Sequence, residues 1–342
     1  MRGHMPDSHL NEAERYVQQS FRKSQLFNGL MMAVAVAAVY LPMRSLPGRR
    51  ALPPATASLT YHPVELADVA GPLRLSGAWE VRSSDRRFGG ISSLTIVGGR
   101  FLSVSDRGAV AWFNPPGVSK RVAWVADLRA GPGPWGRKWA RDAESLAADP
   151  RGRGWWVGYE QNHSVWLYDR GFERALGHVD LQREDWWNNR GAEGLVSEGD
   201  GLLVTAENGR DTIIVDGDSL ERMALNAGAD VAEASRAPDG SLWILLRTKG
   251  LSGIHQAVAP LIRTGSGYRA GPAWAVPKSA FDNYEGMAIE PRPGGGLRFW
   301  LISDDGHRIL ARTLLVALDH LPQPETAKSP ATQAGRLKKP RN

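Results

Sequence analysis

The chain has 342 residues, with no cysteine, 38 glycines, 22 prolines and 13 tryptophans. Its 42% hydrophobic content can bury a sizeable core, and the lack of cysteine excludes disulfide scaffolds, thiol nucleophiles and cysteine-based zinc sites. A formal net charge of +6 invites an anionic partner, but residues 1–50 carry +4, residues 325–342 carry +4 and the body between them −2, so no nucleic-acid partner is expected.

Residues 1–25 read as a polar arm. Residues 26–43, LFNGLMMAVAVAAVYLPM, form an uncharged run of eighteen residues after Arg22 and Lys23. That length lies between a signal-peptide apolar region and a spanning helix of about 20 residues. It predicts a hydrophobic helix that exports the chain or anchors it to the inner membrane, with the rest in the periplasm or otherwise outside the cytoplasm. Residues 44–58 are a Pro-rich linker, 59–321 the folded body and 322–342 a disordered basic tail.

The body is repetitive. Five segments share a Gly-rich turn, an apolar run, a charged residue and another turn: GGRFLSVSDRG (98–108), GRGWWVGYEQN (152–162), DGLLVTAENG (200–209), DGSLWILLRTKG (239–250) and GGLRFWLISDDG (295–306). Each is short, rich in β-formers and bounded by turn residues, which predicts a strand. Further strands are expected at AVAWFN (109–114), SVWLYD (164–169), DTIIVD (211–216) and HRILAR (307–312), and fourth strands at 121–128 and 173–181. Four short strands every 40–50 residues are the pattern of a propeller blade. Strand-like material remains at Leu73–Arg82 and Ile309–Leu318, and joining it into one more unit predicts an all-β, six-bladed β-propeller, with seven blades as the alternative.

Two charged columns run through the repeats. One holds Asp106, Glu160, Glu207, Arg247 and Asp304; the other, upstream, holds Ser92, Glu144, Glu193, Glu233 and Glu285. Equivalent positions in a propeller converge on its axis, so a residue type repeated in register becomes a ring. A polar residue per blade can simply tie blades together or cap turns, but seven carboxylates exceed that need. Massed carboxylates repel unless a cation compensates, and hard oxygen ligands suit calcium.

The motifs FGGISSL (88–94), SDRG (105–108), DAESLA (142–147), NRGAEGL (189–195), NYEGMAI (283–289), SDD (303–305) and RTLLVAL (312–318) together resemble the bacterial phytase-like domain, labelled as having esterase-like activity of phytase. The resemblance implies a β-propeller with recurring acids and a phosphoesterase activity. More distantly, the Glu-Gly step at Glu193 and Glu285 is similar to that of propeller alkaline phytases, where acidic residues bind calcium that holds substrate phosphate. On this basis Glu144, Glu193 and Glu285 are expected as metal ligands, and Asp106, Glu160, Glu207 and Asp304 as ligands or water activators. Arg107, Arg247, Asn189 and Asn283 are expected to contact a small anionic, phosphorylated substrate. A monomer is expected, with calcium as cofactor and the membrane met only through the N-terminal helix. No dense Lys/Arg cluster for a highly phosphorylated inositol is visible. A lactonase or carboxylester hydrolase, and a non-catalytic propeller that binds a ligand or partner, remain open.

Overall fold

Turn and strand alternate, without a helix, through the described residues of the computed structural model. These are residues 50–133, 140–181, 191–250, 253–277, 283–292, 294–306 and 311–321. In chain order the strands are β1 (Ala55–Pro63), β2 (Leu73–Ser83), β3 (Ile91–Val97), β4 (Arg100–Ser105), β5 (Ala109–Phe113), β6 (Val122–Asp127), β7 (Ala143–Ala148) and β8 (Gly154–Tyr159). They continue with β9 (Ser164–Asp169), β10 (Ala175–Asp180), β11 (Ala192–Glu198), β12 (Gly201–Ala206), β13 (Asp211–Asp216), β14 (Ser219–Asn226) and β15 (Asp230–Arg236). The last are β16 (Leu242–Gly250), β17 (Gly253–Thr264), β18 (Gly267–Ala270), β19 (Trp274–Ala275), β20 (Asn283–Pro291), β21 (Leu297–Asp304) and β22 (Leu314–His320).

Hydrogen bonding groups them into repeated antiparallel meanders. β3 to β6, β7 to β10 and β11 to β14 make the first three sheets. In the fourth, β15, β16 and β17 are followed by two short strands, β18 and β19, both paired to β17. In the fifth, β20, β21 and β22 are completed by β2 from the other end of the body. The first strands of the five sheets neighbour one another in a closed circuit, β3 to β7 to β11 to β15 to β20 and back to β3. This is a β-propeller arrangement of the described strands.

The circuit explains why the strands read as nearly unbroken apolar runs. Each sheet is covered on both faces by its neighbours, so both side-chain sets of its middle strands are buried. In β12, Leu202, Val204 and Ala206 enter one core and Leu203 the next. In β16, Leu242, Ile244 and Leu246 face one side while Trp243 and Leu245 face the other. In β21, Phe299 and Leu301 are separated in the same way from Trp300 and Ile302. Among the described residues five core clusters result, one between each pair of adjoining sheets. Burying one such Leu, Ile or Phe side chain contributes about 1.5–3 kcal/mol.

Among the described residues, the two segments expected to make a sixth blade do not form a sheet of their own. They do pair, Leu73 opposite His320 through Glu80 opposite Leu314, but within the sheet that begins with β20. The third strand of that sheet is Leu314–His320 and its outer strand comes from the N-terminal side; the strand expected at 307–312 lies largely outside the described residues. β1 adds a clasp, pairing through Ala55–Ser58 with β6 and through Leu59–Pro63 with β2. The expected arm at 1–25, the hydrophobic helix at 26–43, the tail at 322–342 and Asn189 lie outside the described residues.

Candidate metal centre

One backbone device recurs in every inner strand. Pairing with the second strand skips a residue between Ile91 and Ser93, Ala143 and Ser145, Ala192 and Gly194, Val231 and Glu233, and Tyr284 and Gly286. The skipped residues, Ser92, Glu144, Glu193, Ala232 and Glu285, each sit on a β-bulge, which re-aims a side chain out of the alternating pattern. The neighbouring column follows in register: Asp106, Glu160, Glu207, Arg247 and Asp304 each come one residue after the partner of the pre-bulge residue.

The bulge corrects the placement of Glu233. The equivalent of Glu144 and Glu193 in the fourth sheet is Ala232, while Glu233 shares its level with Ser93, Ser145, Gly194 and Gly286. At that level the inner strands approach closely. A Cβ on Gly194 would lie 2.6 Å from the Ala234 Cβ, and one on Gly286 would lie 3.0 Å from the Leu94 Cβ. Ser145 Oγ donates to Ala192 O of the next sheet at 2.7 Å. Glu233 instead reaches across to β3, which is not its neighbour in the circuit, and accepts from Ser93 Oγ at 2.5 Å and from its own neighbour Ala234 N at 3.0 Å. Both side chains are buried, so this contact closes the axis. Beyond it, Leu94, Leu146, Leu195, Val196 and Ala234 help to line a cavity of about 170 Å³. The ring of acids is thus closed on this side by Ser93 and Glu233, as a cup is by its floor.

Within the cup, carboxylate oxygens of Asp142, Glu144 and Glu160 lie within 4.8 Å of one another, as do those of Glu160, Glu193 and Glu207. Asp142 stands in the DAESLA motif but outside both sequence columns; it precedes the strand and is placed by backbone pairing, Glu160 N donating to Asp142 O at 2.9 Å. Arg141 anchors the same corner, donating to the carbonyls of Leu128, Ala130, Gly131 and Gly133. Calcium takes oxygens at about 2.3–2.6 Å, so its ligand atoms stand up to about 5 Å apart. The spacing and the all-carboxylate donor set fit a hard divalent ion.

The other expected residues separate into two sets. Arg247 Nη2 donates to Glu207 Oε1 at 2.7 Å and Nη1 to Glu285 Oε1 at 3.1 Å. Asn283 Nδ2 donates to the same Glu285 oxygen at 2.6 Å, and Lys249 Nζ stands 3.5 Å from Glu207. Asp106 and Asp304 hold the equivalent places in the first and last sheets but belong to neither three-carboxylate group among the described residues. Asp304 Oδ1 accepts from Gly306 N at 2.6 Å, capping its own turn, and Arg107 is exposed beside buried Asp106.

Burial, reinforced by Glu144 and Glu160, holds the Glu193 carboxyl well above the usual carboxylate range; Arg247 opposes this. Burial likewise raises Glu233, against the hydrogen bonds it accepts from Ser93, Ala234 and Leu94. Burial works against the charge of Arg247, but Glu193, Glu285 and Glu207 together hold it firmly protonated. A cup in which buried carboxylates crowd one another and disfavour ionisation is one in which added positive charge is favoured.

The model of the phytase-like family, described as esterase-like activity of phytase, matches residues 86–307. The chain belongs to this family. Every acidic residue of the phytase-like cup lies inside the match, and so do β3 to β21, whereas the closing strands β1, β2 and β22 lie outside it. Comparison with curated proteins yields no match. Among solved structures, Myxococcus xanthus glutaminyl cyclase is similar at 14% identity and a TM-score of 0.48, over 73% of this chain and 97% of that one. The β-propeller domain of Myceliophteria thermophila Cps50 (Swd1) is similar at 11% identity and a TM-score of 0.38, over 73% and 100%. Kuenenia stuttgartiensis hydrazine synthase is similar at 14% identity and a TM-score of 0.39, over 67% of this chain and 62% of that one. The geometry of the cup, not these distant likenesses, carries the functional reading.

Proposed function

We propose that this phytase-like propeller is a calcium-dependent hydrolase of small phosphoric esters, exported or membrane-anchored through residues 26–43. The observation that carries the reading is the pair of carboxylate groups that share Glu160 and are gathered by the same bulge in successive sheets. Asp142, Glu144 and Glu160 would hold the ion, with Glu193 beside them. A bound calcium supplies positive charge that draws in and polarises a phosphoryl oxygen. Glu207, beside that set, would accept a proton from the attacking water and return it to the leaving alcohol oxygen as the ester P–O bond breaks, a task suited to a carboxylate within hydrogen-bond reach. Lys249 and Arg107, both exposed, meet the anionic substrate at the rim. Asn283 fixes Glu285, and the closed floor at Ser93 and Glu233 makes substrate and product use one face.

A carboxylic ester or lactone is the second reading. It is favoured by Arg247, which is committed to two carboxylates and leaves fewer cations for a multiply charged substrate.

The first test is thermal unfolding with and without calcium. Calcium at one hundred times its Kd stabilises a one-site protein by about 2.7 kcal/mol; a rise of several degrees is expected for the wild type and little or none for Glu144→Gln or Glu193→Gln. Binding displaces the Glu193 proton, so calcium affinity strengthens as pH rises. An unchanged melting curve on adding or chelating calcium would sink the metal. Turnover of a phosphomonoester, a phosphodiester, an aryl acetate and a lactone then separates the two hydrolase readings. Calcium binding with no turnover of any of the four identifies a binding propeller.

A further inference from the structure

We infer that Arg247 is a resident cation standing where a second metal ion would otherwise sit, so that the cup takes one divalent ion, at Asp142, Glu144 and Glu160; this rests on the metal-dependent reading.

The repeat shows what has been exchanged. The second sheet contributes two acids to the bulge and following positions, Glu144 and Glu160, and the third contributes Glu193 and Glu207. The fourth sheet contributes none: its bulge residue is Ala232 and the position equivalent to Glu160 and Glu207 is Arg247. Two negative charges are absent and one positive charge is present at the same level of the same ring.

The guanidinium then lies against the half of the cup that could hold the second ion. It donates to Glu207, a member of the Glu160–Glu193–Glu207 group, and to Glu285 in the next sheet. Glu193 acts on it electrostatically as well. An ion seated in that group would take Glu207 from the arginine and leave two like charges a few ångströms apart in a buried setting, where repulsion is weakly screened. The other group, Asp142–Glu144–Glu160, includes none of the carboxylates that Arg247 bonds.

A second feature marks the arginine as kept for its charge. Its side chain is 6% exposed, and its Nε, fully buried, has no hydrogen-bond partner. An unsatisfied buried donor is unfavourable, and a residue present only to brace neighbouring strands would not need to carry one. A fixed guanidinium also holds Glu207 and Glu285 in place without an ion, leaving half of the cup preorganised.

The test is calcium stoichiometry by equilibrium dialysis on the full chain, comparing wild type, Arg247→Gln and Arg247→Lys. One calcium per chain is expected for the wild type and for the lysine form, and two for the glutamine form. Two on the wild type, or one on Arg247→Gln beside one on the wild type, overturns the role of the arginine and leaves the metal-dependent reading intact. No calcium on the wild type but one on Arg247→Gln keeps the arginine as the cup's cation and removes that reading. No calcium on either removes both. If Arg247→Gln does not fold in calcium-free buffer, recovery of its circular dichroism on adding calcium supports the inference, and failure to recover overturns it.

Discussion

Glu193 and Glu233 are both buried carboxyls held above their ordinary range, and they differ in what relieves them. Glu193 is crowded by Glu144 and Glu160, so a cation relieves it. Glu233 is raised first by burial, and its surroundings are Ser93 and the backbone of Leu94 and Ala234. Burial, with Glu144 adding to it, therefore favours the neutral form in the folded chain. Unfolding returns Glu233 to an ordinary glutamate pKa of about 4.3. A group raised in the folded state gives its full stability below that value and loses it as pH rises through the folded value. Glu233→Gln, neutral at every pH, should stay folded and gain on the wild type as pH goes from about 4.5 to 8, read as the difference in urea midpoint. Glu233→Ala removes the acceptor of Ser93 and opens a void, and should lose about 2–4 kcal/mol at any pH in that range. Parallel pH profiles for wild type and the glutamine form would show that the proton does not belong to Glu233.

At the scale of the element, the bulge places the ligands and glycine makes room for it. A Cβ at Gly194 would stand 2.3 Å from Thr205 Oγ1 and 2.8 Å from the Ala234 backbone nitrogen. Backbone there cannot move without shifting β11 against β15. Gly194→Ala should lose about 1–3 kcal/mol through overpacking and weaken calcium binding by displacing Glu193. Gly177, in the outer strand β10, has open space around its Cβ position. Gly177→Ala should change neither melting temperature nor calcium affinity, which separates a local effect from a general intolerance of strand glycines. Equal losses in the two variants would count against the bulge as the positioning element.

For the whole molecule, closure is the decisive event. β22 would present an open edge without β2, and the core between the fifth and first sheets draws Ala57, Leu59 and Val81 from the two N-terminal strands. A chain starting at Arg86 keeps the entire family match but loses both strands. It should show no cooperative thermal transition, whereas the chain from residue 50 onward should show one. A cooperative transition in the shorter form would mean that the ring does not depend on its N-terminal clasp.

Much of this architecture is legible in the linear chain because each sheet is covered on both faces. Runs such as LLVTA at 202–206 and LWILL at 242–246 must then be apolar throughout, and the turns between them must be short and glycine-rich. The Glu-Gly and Glu-Ser steps likewise carry the bulge in their composition, an acid aimed at the axis followed by a residue small enough for the next strand. Where the pattern breaks, local sequence misleads: VAEAS looks like another copy of the acidic step, but the bulge falls on Ala232 and turns Glu233 into the floor of the cup. Bulge register is set by pairing with β16, and blade number by the meeting of Leu73–Glu80 with Leu314–His320, contacts between strands far apart in the chain. The same holds for Arg247, whose charge is plain in the sequence while its embrace of Glu207 and Glu285 exists only once the ring has closed. Local composition sets which segments become strands because burial and turn geometry act within a few residues. Long-range pairing sets how many sheets form and which charges meet, because those depend on the ends of the body finding each other.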